Sequence, residues 1–467
     1  NSGYARAITA MKNSEVKISG DAIFAVSGED AIGLDVSDNS KITVDGMYTA
    51  AVQASAAGAK GIGVSGSEIR LGSDCAVTVS SEGNGAVFGI EATGGSRVTL
   101  AGSALIKASG LNEVIGVSSD AGTVEFAGDA VIITTEAGKT RAVGNQGIGV
   151  SALNSGKVDF KKGLILDNKG QSYGLKAEGS GSNIAVNSSG SGDVYLTGDI
   201  TAINEGTLEL DLSTDKSYYE GAATTANDGK LHMKLRQGSL WNVTADSDLT
   251  SLEFGDDARI DMEQQAGYQK LNVAEFTGSG GTFVLGTDIA KDQSDKVFIA
   301  GSTPTGTAHH NIQIRDARHN TGDDLHLLLV DDASGNYTFT AQDAYGGGIY
   351  NYKAEISNET DGGIKWYLES LKTAGVTEDV RALSRVSDGI YALAVTGNDS
   401  LRGRLGELRD DNAEQGVWAR VYGGRLKGDN FSENYQTYQI GYDLPFAGSP
   451  DSETAQNWRG GAAFEYT

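Results

Sequence analysis

The sequence predicts an all-β chain: a right-handed parallel β-helix of three-strand coils, about 25–33 residues each, followed by a linker helix and the opening strands of an antiparallel barrel. Three observations lead there. Short apolar runs are punctuated by glycine almost without proline, the first half repeats itself, and the hydrophobic period changes abruptly near the C-terminal end.

The composition comes first. The 467 residues include 65 Gly and only 3 Pro, which favours many tight turns between short strands over a disordered linker or collagen. The formal charge of −25 repels phosphate backbones, so nucleic acid is excluded as a partner class, and it keeps a long sheet surface soluble. Cys75 is the only cysteine, so neither an intrachain disulfide nor a thiolate zinc site can form. No signal peptide is read at Asn1, so an exported protein is expected to carry further sequence upstream, and no apolar run is long enough for a transmembrane helix.

The repeat is visible in pairs of segments. AIGLDVSDNSKITVDG (Ala31–Gly46) matches VFGIEATGGSRVTLAG (Val87–Gly102), and VIGVSSDAGTVEFAG (Val114–Gly128) matches GIGVSALNSGKVDFKKG (Gly147–Gly163). Each unit starts apolar-Gly-apolar, turns on polar residues and continues as an alternating strand. The marker glycines are read as Gly33, Gly63, Gly89, Gly116, Gly149 and Gly174, spaced by 30, 26, 27, 33 and 25 residues. A third run follows in most units: Ala76–Val79, Ala104–Ala108, Ala130–Ile133 and Leu164–Leu166. One such coil cannot bury its own interior, whereas stacked coils give each strand partners above and below. About 14 coils, at about 4.8 Å each, are expected.

The domains are expected at 1–230 (β-helix repeats), 231–371 (C-terminal cap of the β-helix), 372–410 (linker helix) and 411–467 (start of a barrel, about three strands). Trp241 stands alone in a long aromatic-poor region, and aromatics gather at the end of the second of these, at Tyr345, Tyr350, Tyr352, Trp366 and Tyr367, as suits a segment covering the open end of a solenoid. Thr377 is a good N-cap, with Glu378 and Asp379 in the first turn. Val380, Leu383, Val386, Ile390 and Leu393 make one apolar stripe. Gly397 is expected to interrupt the helix, and Ser400 to cap a second piece carrying Leu401, Leu405 and Leu408. After Gln415 the period becomes two: Val417, Ala419 and Val421 oppose Trp418, Arg420 and Tyr422, and TYQIGYDL (Thr437–Leu444) and WRGGAAFEY (Trp458–Tyr466) alternate likewise. Strands with one apolar face are the signature of an outer-membrane barrel. Three cannot close one, so further strands are expected beyond Thr467.

RLGELR (Arg404–Arg409) followed by GVWARVYGG (Gly416–Gly424) resembles the junction between linker helix and translocator barrel in pertactin-like autotransporters, the type V secretion proteins of Gram-negative bacteria. TYQIGYDLPF and WRGGAAFEYT are similar to the next two barrel strands. LWNVTADSDLTSLEF, GTFVLGTDI, SDKVFIAG and WYLESL resemble the autochaperone part of such passengers, so the resemblance covers about Leu231 to Thr467. It implies a passenger exported by its own C-terminal barrel, with the outer membrane and the barrel-assembly machinery as partners. The implied location is the cell surface, with the passenger extracellular or released. Asn398-Asp399 does not match the family's self-cleavage motif, and cleavage is not carried over.

No catalytic, cofactor-binding or metal-binding residue is assigned. GVSGS (Gly63–Ser67) is not a G-x-S-x-G elbow. His309, His310 and His319 are read as surface-loop residues rather than metal ligands. Asp35, Asp45, Glu125 and Asp159 fall singly at turns or outward strand positions, which solvates the surface without pairing carboxylates for glycosidic chemistry. Lys427-Gly428-Asp429 resembles an integrin-binding tripeptide but reads as a turn after the first barrel strand, and Arg402, Arg404 and Arg409 are read either as lining the barrel lumen or as solvating a helix. The expected function is a surface-interaction rod or adhesin whose ligand is an extracellular glycan or protein. The alternatives are a carbohydrate-active β-helix enzyme (a polysaccharide lyase or glycoside hydrolase) and a stalk presenting a catalytic domain upstream.

Overall fold

The computed structural model describes residues 3–136, 147–169, 173–262, 267–302, 308–316, 320–342, 349–407, 416–427, 432–446 and 458–466. The chain divides into two compact units, residues 1–345 with 352–373, and residues 346–351 with 374–467.

The first unit is the β-helix. Among the described residues its three faces are one 9-stranded, one 15-stranded and one 14-stranded sheet, and over the first part of the stack each receives one strand per coil. A representative coil is Val87–Thr93, Arg97–Leu100 and Ala104–Gly110. Successive strands pair in parallel, as in Val98↔Val124 and Ile106↔Ile132. Alternation sends Val98, Leu100, Ile106 and Ala108 inward, where each is almost completely buried. Burying a Val, Leu or Ile side chain contributes about 1.5–3 kcal/mol, and the stack repeats this contribution coil after coil.

The glycines of the first face are steric rather than conformational. A Cβ on Gly33, Gly61, Gly89, Gly116 or Gly149 would lie 2.4–2.6 Å from the carbonyl oxygen of the next glycine in that series. It would also collide with a third-face side chain: Tyr48 for Gly33, Val77 for Gly61, Ile106 for Gly89, Ile132 for Gly116 and Leu166 for Gly149. The ladder therefore contains Gly61, and the expected marker Gly63 is a correction. Gly63 pairs with Asp35 and Glu91 on the outward side, while Leu34, Ile62 and Ile90 form the inward row. Lys60 before Gly61 hides the apolar-Gly-apolar start, and Ile62-Gly63-Val64 imitates it.

Corners are built by short polar residues. Between the first and second faces Asp38 (φ 55°) and Asn39 (φ 58°) take the left-handed region, which short polar side chains tolerate. The Asn39 amide donates to Asn13 Oδ1 of the preceding coil at 3.0 Å. Between the second and third faces Asp21, Asp74 and Asp129 accept the backbone N–H of Met47, Ser103 and Gly163, at 2.8, 2.9 and 3.0 Å, each from the coil above.

The first face ends at Ala223–Ala226. The longer strands Ser247–Phe254, Lys270–Thr277 and Lys296–Ser302 then wrap the corner themselves. Alternation breaks at Thr250 and Ser251, both half-buried, and Ala223 N–H donates to Ser247 Oγ at 3.1 Å. Aromatic rings fill this wider interior. Tyr219 stacks on Trp241 at 5.7 Å, and Phe254, Phe276, Phe283, Tyr337 and Phe339 surround His310. Thirteen of the fifteen second-face strands run in parallel rungs, against about 14 coils expected, since the last segment turns back. Ile364–Val376 pairs antiparallel with Leu327–Asp332, and Tyr350–Thr360 lies outside it.

In the second unit, Glu378–Glu407 is a single helix, so the expected interruption at Gly397 does not occur. An interior glycine costs only about 1 kcal/mol relative to alanine, too little to break a long run of good helix formers. Leu383, Val386 and Ile390 of its apolar stripe are exposed. Gly416–Lys427, Ser432–Phe446 and Trp458–Tyr466 form an antiparallel sheet in the order of the chain. Val421, Tyr438 and Tyr466 share one row, and Ala419, Ile440 and Phe464 the next, all exposed. Thr437, Gln439 and Gly441 on the opposite face are buried. An apolar exposed face over a polar covered one inverts the pattern of a water-soluble sheet. Among the described residues no helix is long and apolar enough to cross a membrane.

Candidate functional surfaces

Neighbouring strands stand about 4.8 Å apart, so outward side chains at one register position form rows along the stack. Of the carboxylates singled out in the sequence, Asp35, Glu125 and Asp159 belong to such rows and Asp45 follows the strand Lys41–Val44, each with a partner. Asp35 meets Arg6 Nε at 3.0 Å, and Asp45 meets Lys17 Nζ at 3.4 Å. Glu125 and Asp159 are brought side by side in the second face, but Glu125 takes Lys161 Nζ at 2.5 Å and Asp159 accepts from Ser188 Oγ at 2.6 Å. Of GVSGS, Ser65 is exposed and Ser67 Oγ accepts the Ser40 N–H at 3.1 Å.

The histidines depart from the surface-loop expectation. His309 and His310 lie in the strand Ala308–Asp316 and point to opposite sides, so they cannot share a metal ion. His309 is exposed, with Nδ1 3.1 Å from Thr338 Oγ1. His310 is fully buried, and its Nδ1 accepts the Gly281 N–H at 3.2 Å. Burial pushes its pKa down to about 4. The polar residues Asn311 and Gln313 disguise a strand whose inward positions are His310, Ile312 and Ile314. His319, Arg409, Gly428 and Asp429 lie outside the described residues, Lys427 ends a strand, and Arg402, Arg404, Asn398 and Asp399 belong to the helix.

Two concavities were not foreseen. One, of about 580 Å³, lies on the second face. Its floor holds Glu209, His232 and Ser251 in one row and Asp211, Lys234 and Glu253 in the next. His232 Nδ1 is 2.7 Å from Ser251 Oγ, and its pKa is lowered by burial against the opposing pull of Glu209. Arg236 reaches Asp211 at 3.6 Å and Glu253 at 3.3 Å, so these charges satisfy one another. Aligning TLELDL (Thr207–Leu212) with KLHMKL (Lys230–Leu235) was the signal for this row. The other cleft, of about 470 Å³, follows the bend of the long strands and is lined by Asp248, Asn272, Phe298, Asp331 and the alanines 274, 300 and 333.

The third face carries an outward row of apolar residues. Ile165, Tyr195, Tyr218 and Leu240 follow one another in register. Ile165 and Tyr195 are each 46% exposed, and the rings of Tyr195 and Tyr218 stack at 5.1 Å. Tyr218 Oη donates to Glu220 at 2.6 Å and accepts from Asn242 at 3.0 Å.

A solenoid with long outward rows, an aromatic end, a helix and strands with an exposed apolar face defines the class of β-helical passengers. Within it the chain is similar to the passengers of pertactin-like autotransporters. Residues 248–370 match the Pertactin family model. The serine protease EspC of Escherichia coli O127:H6 is 25% identical over 296 residues, covering 62% of this chain and 22% of that protein. The BrkA autotransporter of Bordetella pertussis is 26% identical over 286 residues (58% and 26%). The serine protease Pet autotransporter of E. coli O44:H18 is 27% identical over 212 residues (44% and 16%). The chain thus spans less than a third of the length of these relatives. The autotransporter UpaB of E. coli CFT073 aligns with a TM-score of 0.42 at 15% identity, over 77% of this chain and 95% of that one.

Proposed function

We propose that this chain is a binding passenger, an adhesin or surface-interaction rod, rather than an enzyme. The observation that carries the reading is the outward row Ile165–Tyr195–Tyr218–Leu240, exposed at Ile165 and Tyr195 and half-buried at Tyr218 and Leu240, an apolar and aromatic strip on an otherwise strongly acidic chain. Exposed apolar strips rimmed by polar groups mark interaction surfaces. The partners are an extracellular glycan or protein on one side, and the outer membrane with its barrel-assembly machinery on the other. The exposed Val421, Ile440 and Phe464 suit a lipid environment.

Bacteria displaying the full-length protein are expected to adhere to host-type cell layers or immobilised matrix. Ile165→Asp with Tyr195→Asp should lower that adhesion at equal surface display. Equal adhesion by displaying and non-displaying cells would sink the reading. A second reading, an enzyme, is favoured by the Glu209–His232–Ser251 row and by relatives that are named serine proteases. Turnover of a polysaccharide or ester panel, abolished by Glu209→Gln, would establish it instead.

A further inference from the structure

We propose that the cleft along the bend of the long strands binds a neutral oligosaccharide. The proposal rests on the reading of the rod as a binding surface and names a site and ligand class for it. Asp248, Asn272, Phe298 and Asp331 occupy one register position on four consecutive rungs. All four are half-buried, as expected of side chains standing on the wall of a cleft. At about 4.8 Å per rung the row is about 14 Å long. Ala274, Ala300 and Ala333 are exposed beside it, so the floor is made of methyl groups and backbone and leaves room for a bulky ligand.

The chemistry of this row selects the occupant. Carboxylates at both ends accept hydrogen bonds from hydroxyls, and Asn272, held by its own amide donation to Asp248 Oδ1 at 2.8 Å, still offers an acceptor oxygen. Phe298 between them presents an aromatic ring, against which the C–H face of a pyranose packs. No Lys or Arg lines the cleft, and Lys365, opposite Asp331 in register, is held by Asp361 at 2.6 Å, so sulfated or sialylated chains meet two carboxylates without a lining cation. A peptide strand is disfavoured, since the lining strands are paired on both sides and present no free edge. In the neighbouring groove Arg236 and Lys234 already engage the acids, which leaves that surface self-satisfied.

The test uses the whole chain on an array of neutral hexose and N-acetylhexosamine oligosaccharides, with sulfated and sialylated counterparts. Binding to neutral chains is expected, reduced at least tenfold by Phe298→Ala and by Asp331→Asn. Ala300→Trp fills the cleft from an exposed position without touching the core and should abolish binding. His232→Ala in the neighbouring groove should leave it intact. Retained binding in Ala300→Trp would overturn the site while leaving the rod a glycan binder. Preference for sulfated or sialylated chains would overturn the ligand class. Absence of any array signal beside intact cell adhesion would overturn the proposal while sparing the adhesive reading.

Discussion

Gly61 and Val77 share one volume of the core: a Cβ on Gly61 would stand 2.1 Å from Val77 Cγ1 and 2.6 Å from the Gly89 carbonyl oxygen. Gly61→Ala is therefore expected to destabilise the β-helix by about 1–3 kcal/mol, the range for overpacking. Two residues on, a Cβ at Gly63 meets nothing closer than Lys60 Cδ at 3.4 Å, so Gly63→Ala should change stability by less than about 0.5 kcal/mol. Urea unfolding midpoints of the two variants check the contrast. Equal effects would show that the glycine ladder has been placed wrongly.

His310 gives the aromatic end a pH dependence. Its folded pKa is about 4, below the unfolded value of 6.5, because burial among Phe254, Phe276, Phe283, Tyr337 and Phe339 disfavours the cation. Tyr337, pushed up to about 12 by burial, stays neutral across that window. Below pH 6.5 the unfolded chain takes up a proton that the folded one refuses. Stability is thus full above about pH 6.5 and falls by up to about 3 kcal/mol as pH drops to 4. His310→Gln should flatten this part of the stability profile, measured by unfolding between pH 7 and pH 4.

The corner aspartates each satisfy a backbone N–H of the next coil. Asp74→Ala, which leaves Ser103 N–H to solvent, should cost about 1 kcal/mol. Asp129→Ala acts two coils further on, so the two losses should add in the double variant. Marked non-additivity in thermal unfolding would show that distant corners are coupled.

The strands with the exposed apolar face make a prediction about insertion. Ile440→Lys in the full-length protein should impair assembly into the outer membrane, by up to about 2–4 kcal/mol for a cation at the bilayer midplane. Gln439→Lys, on the opposite face of the same strand, should be tolerated better. Heat-modifiable mobility of membrane fractions separates the two.

Much of the fold was legible because stacked coils repeat one pattern. Apolar alternation such as Ile42, Val44 and Val98, Leu100 announces a strand directly. Legibility failed where a polar residue held an inward or near-inward position. Lys60 shifted the glycine register, and His310 made a core strand read as a loop. It also failed where coils changed length: rows such as Glu209–His232–Ser251 and Asp248–Asn272–Phe298–Asp331 join residues at unequal spacings, which only strand pairing brings into line. Gly397 misled for another reason, since a local preference of about 1 kcal/mol was weighed without the length of the surrounding helix.

The glycine ladder has a consequence for how such a chain can change over evolutionary time. Gly33, Gly61, Gly89 and Gly116 repeat at intervals of 28, 28 and 27 residues, and each coil presents the same upper and lower edges. A duplication or deletion of one whole interval keeps the strand register and the place of the glycine at the joint, and the protein merely grows or shrinks by a rung. A loss of half an interval would set a bulky third-face side chain against the wrong wall. Length is thus a heritable variable of this molecule, free to drift in whole-coil steps while the aromatic end stays unaltered.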